Sequence, residues 1–215
     1  MFARSLAAAV FALVATSAAH AVAISAAGDA FEVDFDGNLS GEPAAGLTAS
    51  ARFLVTRFDA AEGRVVLEIT LTNTTDTRYF HGARVSALGF DVDAPLPEAR
   101  ASGLFENAVV AGQFPNGFGP IDVCASSQPN NCSGGRKAGV RIGQSGVLTL
   151  ELDFDGPLES LELTNFGVRY QSVNARDCLP DDSGTGHGTP SVPEPRAFAL
   201  LGVAGLAWFG RKRRA

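Results

Sequence analysis

Hydrophobic and polar residues alternate in short runs through the middle of the chain. Residues 31–36, Phe-Glu-Val-Asp-Phe-Asp, alternate strictly, and residues 64–72 do so over most of their length. Residues 51–58, 84–92, 147–154 and 158–170 continue in the same style, rich in Val, Leu, Phe and Thr. A period of two sends successive side chains to opposite faces of an extended backbone, so each run predicts a β-strand with one face in a core. Between the runs stand turn-forming clusters: Asn73-Thr74-Thr75-Asp76, Asp91-Val92-Asp93-Ala94-Pro95 and Asp155-Gly156-Pro157. No window of a dozen residues carries a 3.6-residue period with caps. About six to nine strands joined by irregular loops predict an all-β domain, a single antiparallel β-sandwich of the jelly-roll or Ig-like kind. Fifteen Phe against one Trp and two Tyr point to a Phe-rich core.

Both ends break this pattern. Arg4 precedes an apolar stretch, residues 6–19, and then come Ala19-His20-Ala21 and Ala21-Val22-Ala23, two small-x-small cleavage sites. Residues 1–23 therefore read as a signal peptide with a short helix, removed on export. A retained anchor helix suits so short and alanine-rich a stretch less well.

At the other end, Pro193-Glu194-Pro195 is stiff and extended, because two proline rings fix φ. Residues 197–210 are uncharged and rich in Ala, Leu and Gly, and Arg211-Lys212-Arg213-Arg214 follow them. About 14 helical residues span about 21 Å against a hydrocarbon core of about 30 Å. A transmembrane helix of that length holds with snorkelling flanks or a thinned bilayer. Trp208 suits the interface, and the four cations resist crossing, which leaves the tail inside and the body outside. A plain single-pass anchor is the competing reading. A buried soluble helix would show a polar face, and residues 197–210 have none.

Residues 181–192 are Gly, Ser, Thr, Asp, His and Pro with almost nothing apolar, which reads as a flexible linker. Residues 24–180 are left as the exported β-sandwich domain. That length suffices to bury a substantial core, and this part is expected to fold without its ends.

The division changes the charge balance. The whole chain has 17 Lys+Arg and 23 Asp+Glu. Six of those cations and one of the acids belong to the two ends, so the exported part carries 11 positive and 22 negative groups, net about −11. Such a surface disfavours nucleic acid and anionic lipid.

Cys124 and Cys132 flank Gln128-Pro129-Asn130-Asn131, a good turn sequence. In an oxidising compartment the two are expected to pair. A pair of metal ligands is the alternative, but no second pair stands nearby in the sequence and His is scarce. Cys178 is left over, as a free thiol or an intermolecular bridge.

Other chemistry is thinly supplied. Beyond residue 23 the histidines are His81 and His187. Gly143-Gln144-Ser145-Gly146 resembles a nucleophile elbow, but Val147 stands where the second Gly belongs, and a turn between strands explains it better. Asp34-Phe35-Asp36-Gly37 and Asp153-Phe154-Asp155-Gly156 begin like acidic calcium loops yet lack a further acceptor and a distant Glu. They read rather as strand ends running into Asp-Gly turns. Neither a cofactor motif nor a catalytic constellation is legible.

The order Val-Pro-Glu-Pro, short apolar helix and basic tail resembles the PEP-CTERM sorting signal of Gram-negative bacteria. The signal residues are then Pro193, Glu194, Pro195, Arg211, Lys212, Arg213 and Arg214. The resemblance implies a membrane-embedded exosortase as processing partner and cleavage near the tripeptide. It also implies an inner-membrane intermediate, then delivery to the cell surface or extracellular matrix in association with exopolysaccharide.

Residues 71–74, 84–91, 122–124, 131–135 and 168–172 together resemble the cistern family of PEP-CTERM proteins, whose glycine-rich run is here interrupted by Arg136-Lys137. That family supplies no activity. A non-catalytic surface or matrix component is the function expected from these features. A carbohydrate-binding module is the alternative, expected to expose aromatics on one face. A secreted hydrolase, needing a base near His81 or a carboxylate pair, is a weaker one.

Overall fold

The computed structural model describes residues 21–135, 138–175 and 182–191. The signal-peptide stretch up to residue 20, Cys178, Arg136-Lys137 and the whole sorting tail from Pro193 lie outside the described residues. Within them no helix is long and apolar enough to cross a membrane.

Twelve strands follow one another: β1 (Val22–Ile24), β2 (Ala30–Leu39), β3 (Glu42–Asp59), β4 (Arg64–Asn73), β5 (Phe80–Val92) and β6 (Glu98–Gly103), then β7 (Asn107–Phe114), β8 (Gly119–Ser126), β9 (Val140–Arg141), β10 (Ser145–Asp153), β11 (Leu161–Ala175) and β12 (Asp182–Ser191). They form one antiparallel sheet in the order β6-β10-β4-β3-β2-β12-β11-β5-β8-β7, with β1 added to β11 and β9 to β5. The two end strands, β6 and β7, approach each other, so the sheet is nearly closed into a barrel.

The all-β, antiparallel expectation stands, and the two separate sheets of a sandwich do not. The long strands explain the difference. β3, β5 and β11 run for 18, 13 and 15 residues. Bulges interrupt their registers, between Val55 and Arg57 in β3 and at several points along β11. A bulge bends its strand and raises the local twist. A long bent strand carries the sheet round a corner where a sandwich would break it.

Alternation fills the interior. Phe31, Val33 and Phe35 of β2, Val65, Leu67, Ile69 and Leu71 of β4, and Leu148, Leu150 and Leu152 of β10 all face inward. Phe31 stacks on Phe53 with ring centroids 4.6 Å apart, and Phe166 meets both edge-on at 5.8 and 5.6 Å. The Tyr170 hydroxyl is buried with no hydrogen-bond partner among the described residues. Burial raises its pKa well above that of an ordinary tyrosine.

Three features differ from the sequence reading. Residues 181–192 are not a linker: β12 occupies almost all of them and sits between β11 and β2 in mid-sheet. Its core-facing positions include Gly184, Gly186 and Gly188, so no apolar alternation marks the strand. A Cβ on Gly188 would stand 2.6 Å from Val33 Cγ1 and 2.7 Å from Phe35 Cε1. Neighbouring side chains thus fill the space above it. The folded body accordingly extends to Ser191 and not to 180.

It also begins before residue 24. Val22 and Ile24 are buried, and Val22 pairs with Leu163. Third, Asp34-Phe35-Asp36-Gly37 is no turn but the interior of β2, with Asp34 and Asp36 exposed and Phe35 buried. Its counterpart does end a strand, Asp153 closing β10 and Gly156 taking a φ of 89°.

Candidate functional site

The outer face of β5, β11 and β12 carries a second, small core. Ala87, Phe114, Ile121, Cys124 and Cys132 pack there, with Phe118 and Val109 at its margin. The chain that covers this face is the β7–β8 pair and the loop that follows it. β7 and β8 form a hairpin whose turn, residues 115–118, folds over β11 and β12. Asn116 Nδ2 donates to the Ser183 carbonyl at 2.6 Å, and the Phe118 ring stacks on His187. Gly167 lies beneath Phe118, where a Cβ would come 2.4 Å from the ring.

Cys124 and Cys132 are joined, with Cα atoms 6.0 Å apart. The bridge ties the loop after β8 to the strand itself. Gly112 allows Cys132 to lie against β7, since a Cβ there would stand 2.3 Å from its Sγ.

Beyond Cys132 the loop docks on β11. The Ser133 carbonyl accepts from Arg169 Nε at 3.2 Å and from Gln171 Nε2 at 2.8 Å. Gly134 lies against Ser86 of β5, whose hydroxyl donates to the Arg169 carbonyl. Gly135 N donates to Ser127 Oγ at 2.8 Å.

Four of the five segments singled out in the sequence thereby contribute to one structural knot: 84–91, 122–124, 131–135 and 168–172. The fifth lies at the end of β4, where Asn73 Nδ2 donates to the Ala83 and Val140 carbonyls.

Arg169 is the charged centre of this knot. It is 5 % exposed, and Nη1 donates to the Gly184 carbonyl of β12 at 2.8 Å. Arg57, Arg64, Arg78 and Arg100 pair with carboxylates, whereas Arg169 has no ion pair among the described residues. Burial pushes its pKa down to about 10, with the negative charge of Asp182 acting in the opposite direction. It remains a cation at neutral pH. An open hollow of about 600 Å³ lies beside it, lined by Ser127, Gln128, Gly135, Gln171 and Ser183 along with Arg169.

The hollow at His81 is different. It measures about 410 Å³ and is lined by His81, Arg84, Arg141, Ser172 and Asn174 among others. Among the described residues its lining holds two arginines and no carboxylate. Tyr79 is exposed, with Arg78 over its ring, while Phe80 is buried in the core. The three residues 79–81 therefore do not line one aromatic groove. Ser145 opens β10 opposite Thr72, their hydroxyls 2.8 Å apart, after the turn at Gly143.

Sequence reasoning identified the cysteines but missed Arg169 as a site residue. Its signal was a single Arg set between Val168 and Tyr170. No family model and no curated protein matches the chain.

Proposed function

We propose that the chain is a non-catalytic exported bacterial protein, delivered to the cell surface or extracellular matrix and held there in association with exopolysaccharide. The observation that carries this reading is the tail: Pro193-Glu194-Pro195, the uncharged residues 197–210 and Arg211-Lys212-Arg213-Arg214, in that order and spacing. An apolar run that as a helix would barely span, placed after Pro-Glu-Pro and before four cations, suits a segment held briefly and then cut. An exosortase is the processing partner. The disulfide supports export, because such bridges persist in oxidising compartments.

The body attaches closely to this signal. Only Val192 separates the end of β12 from Pro193. The processing enzyme must therefore meet its substrate with the folded barrel close against the membrane surface, or act before β12 has joined the sheet.

Replacement of all three of Pro193, Glu194 and Pro195 by Ala tests the reading. The expected result is an uncut chain accumulating in the inner membrane and depleted from the exopolysaccharide fraction. A variant that reaches the surface processed like the natural chain overturns it.

A further inference from the structure

We propose that the hollow over Arg169 binds the carboxylate of an acidic sugar, a hexuronate. Arg169 is nearly fully buried yet lines an open hollow. Nε and Nη1 are engaged by the Ser133 and Gly184 carbonyls, whereas Nη2 has no hydrogen-bond partner among the described residues. Two neutral carbonyls orient the guanidinium, and Asp182 acts on it through space without an ion pair. A buried cation without an ion pair is costly, and an incoming carboxylate supplies both the missing charge and acceptors for a planar donor.

The rest of the lining selects the kind of carboxylate. Ser127, Gln128, Gln171 and Ser183 present hydroxyls and amides, which both donate and accept as sugar hydroxyls do. Ala138 is the one apolar side chain among the described lining residues. A peptide C-terminus with an apolar last residue would find nothing there to bury against. General attraction for polyanions is also missing, since the exported part is net about −11. Among the described lining residues, selectivity then comes from the Arg169 guanidinium meeting a carboxylate. The site gives the exopolysaccharide arm of the proposed function a ligand class and rests on that reading only for the ligand's source.

The test is calorimetric titration of the full-length chain in detergent with a galacturonate trisaccharide and with its methyl ester, which keeps every ring hydroxyl but loses the charges. The acid is expected to bind saturably, about tenfold more tightly than the ester, as a charge-assisted hydrogen bond to a buried group implies. Gln128→Ala leaves the hydrogen bonds of Arg169 in place, so it should weaken binding several-fold while the melting temperature holds.

Arg169→Gln removes two structural contacts as well, so the comparison of acid with ester on the unaltered chain decides. Equal binding of the two, or no binding of the acid by the folded chain, overturns the proposal. So does a free-carboxylate tripeptide that binds as tightly as the trisaccharide. None of these readouts depends on processing of the tail, so failure here is distinguishable from failure of the sorting reading.

Discussion

His187 lies flat against Phe118, ring centroids 4.4 Å apart and planes 12° from parallel. The imidazole belongs to β12 and the phenyl ring to the turn that joins β7 to β8. The contact clamps β12 from outside while Val33, Phe35 and Phe166 hold it from within. A stretch with the composition of a linker is thereby made a central strand. Its amides and carbonyls complete the ladders of both β2 and β11.

Removal of β12 should unfold the body. A chain of residues 24–180 would leave two long strands unpaired in mid-sheet, and would lose Val22 and Ala23 of β1 as well. Exposed edges of that kind aggregate. Residues 22–191 should give a β-type circular dichroism spectrum and one cooperative thermal transition. Residues 24–180 should be aggregated or lack that transition.

The glycines of β12 should tolerate nothing larger. Gly188→Ala places a methyl 2.6 Å from Phe166 Cβ and Val33 Cγ1. Overpacking at such a site costs about 1–3 kcal/mol. Thr189→Ala, on the exposed side of the same strand, should change stability by no more than about 0.5 kcal/mol. Chemical denaturation of the two variants checks the contrast.

This strand also shows where the sequence was readable. β2, β4 and β10 were legible because Phe, Val, Ile or Leu stand at their buried positions, save Gly37 in β2 and Asn73 in β4. β12 carries the same inward alternation with Gly184, Gly186 and Gly188 in the inward places, and hydrophobicity cannot report a residue without a side chain. β7 and β8 were obscured by Gly112, Pro115 and Gly119 near their shared turn. Closure into a near-barrel was not legible either, because bulges such as that at Val55/Arg57 leave no mark in composition.

Within the site, Cys124 and Cys132 announced themselves by spacing around a turn. Arg169 did not, since its meaning comes from the loop that β8 and the disulfide bring over β11.

Loss of the bridge should destabilise without abolishing the sheet. Its loop has seven residues between the cysteines. The chain-entropy model assigns a closure of that length about 2–3 kcal/mol. The Cys124→Ala/Cys132→Ala double variant should melt lower by a matching amount. Intact mass with thiol labelling of the unreduced natural chain should find both cysteines unreactive.

Asp153 should impart an acid-side dependence. It accepts from Arg64 Nε at 2.6 Å and from Arg100 Nη1 at 2.8 Å. The hydrogen bond from Arg64 leads in holding its pKa below the ordinary 3.8, against the opposing effect of burial. A pKa lower in the folded state means the contribution is complete above the unfolded value and fades as pH falls through the folded one. Both arginines are partly exposed, so screening limits the effect to about 1 kcal/mol. Asp153→Asn should therefore be less stable than the natural chain at pH 6, with the gap closing below about pH 4. A gap that stays constant across that range would contradict the assignment.

On the proposed function, the mature protein is the barrel from Val22 to Ser191, freed at both ends. Intact-mass measurement of the chain recovered from the cell surface tests it most directly. Cleavage after Ala21 keeps Val22 in β1, paired with Leu163 and buried, whereas cleavage after Ala23 discards it. The expected mature chain therefore begins at Val22, contains all of β12, and ends near Pro193-Glu194-Pro195. A surface chain that begins at Ile24, stops before Ser191, or still carries Arg211-Lys212-Arg213-Arg214 would contradict it.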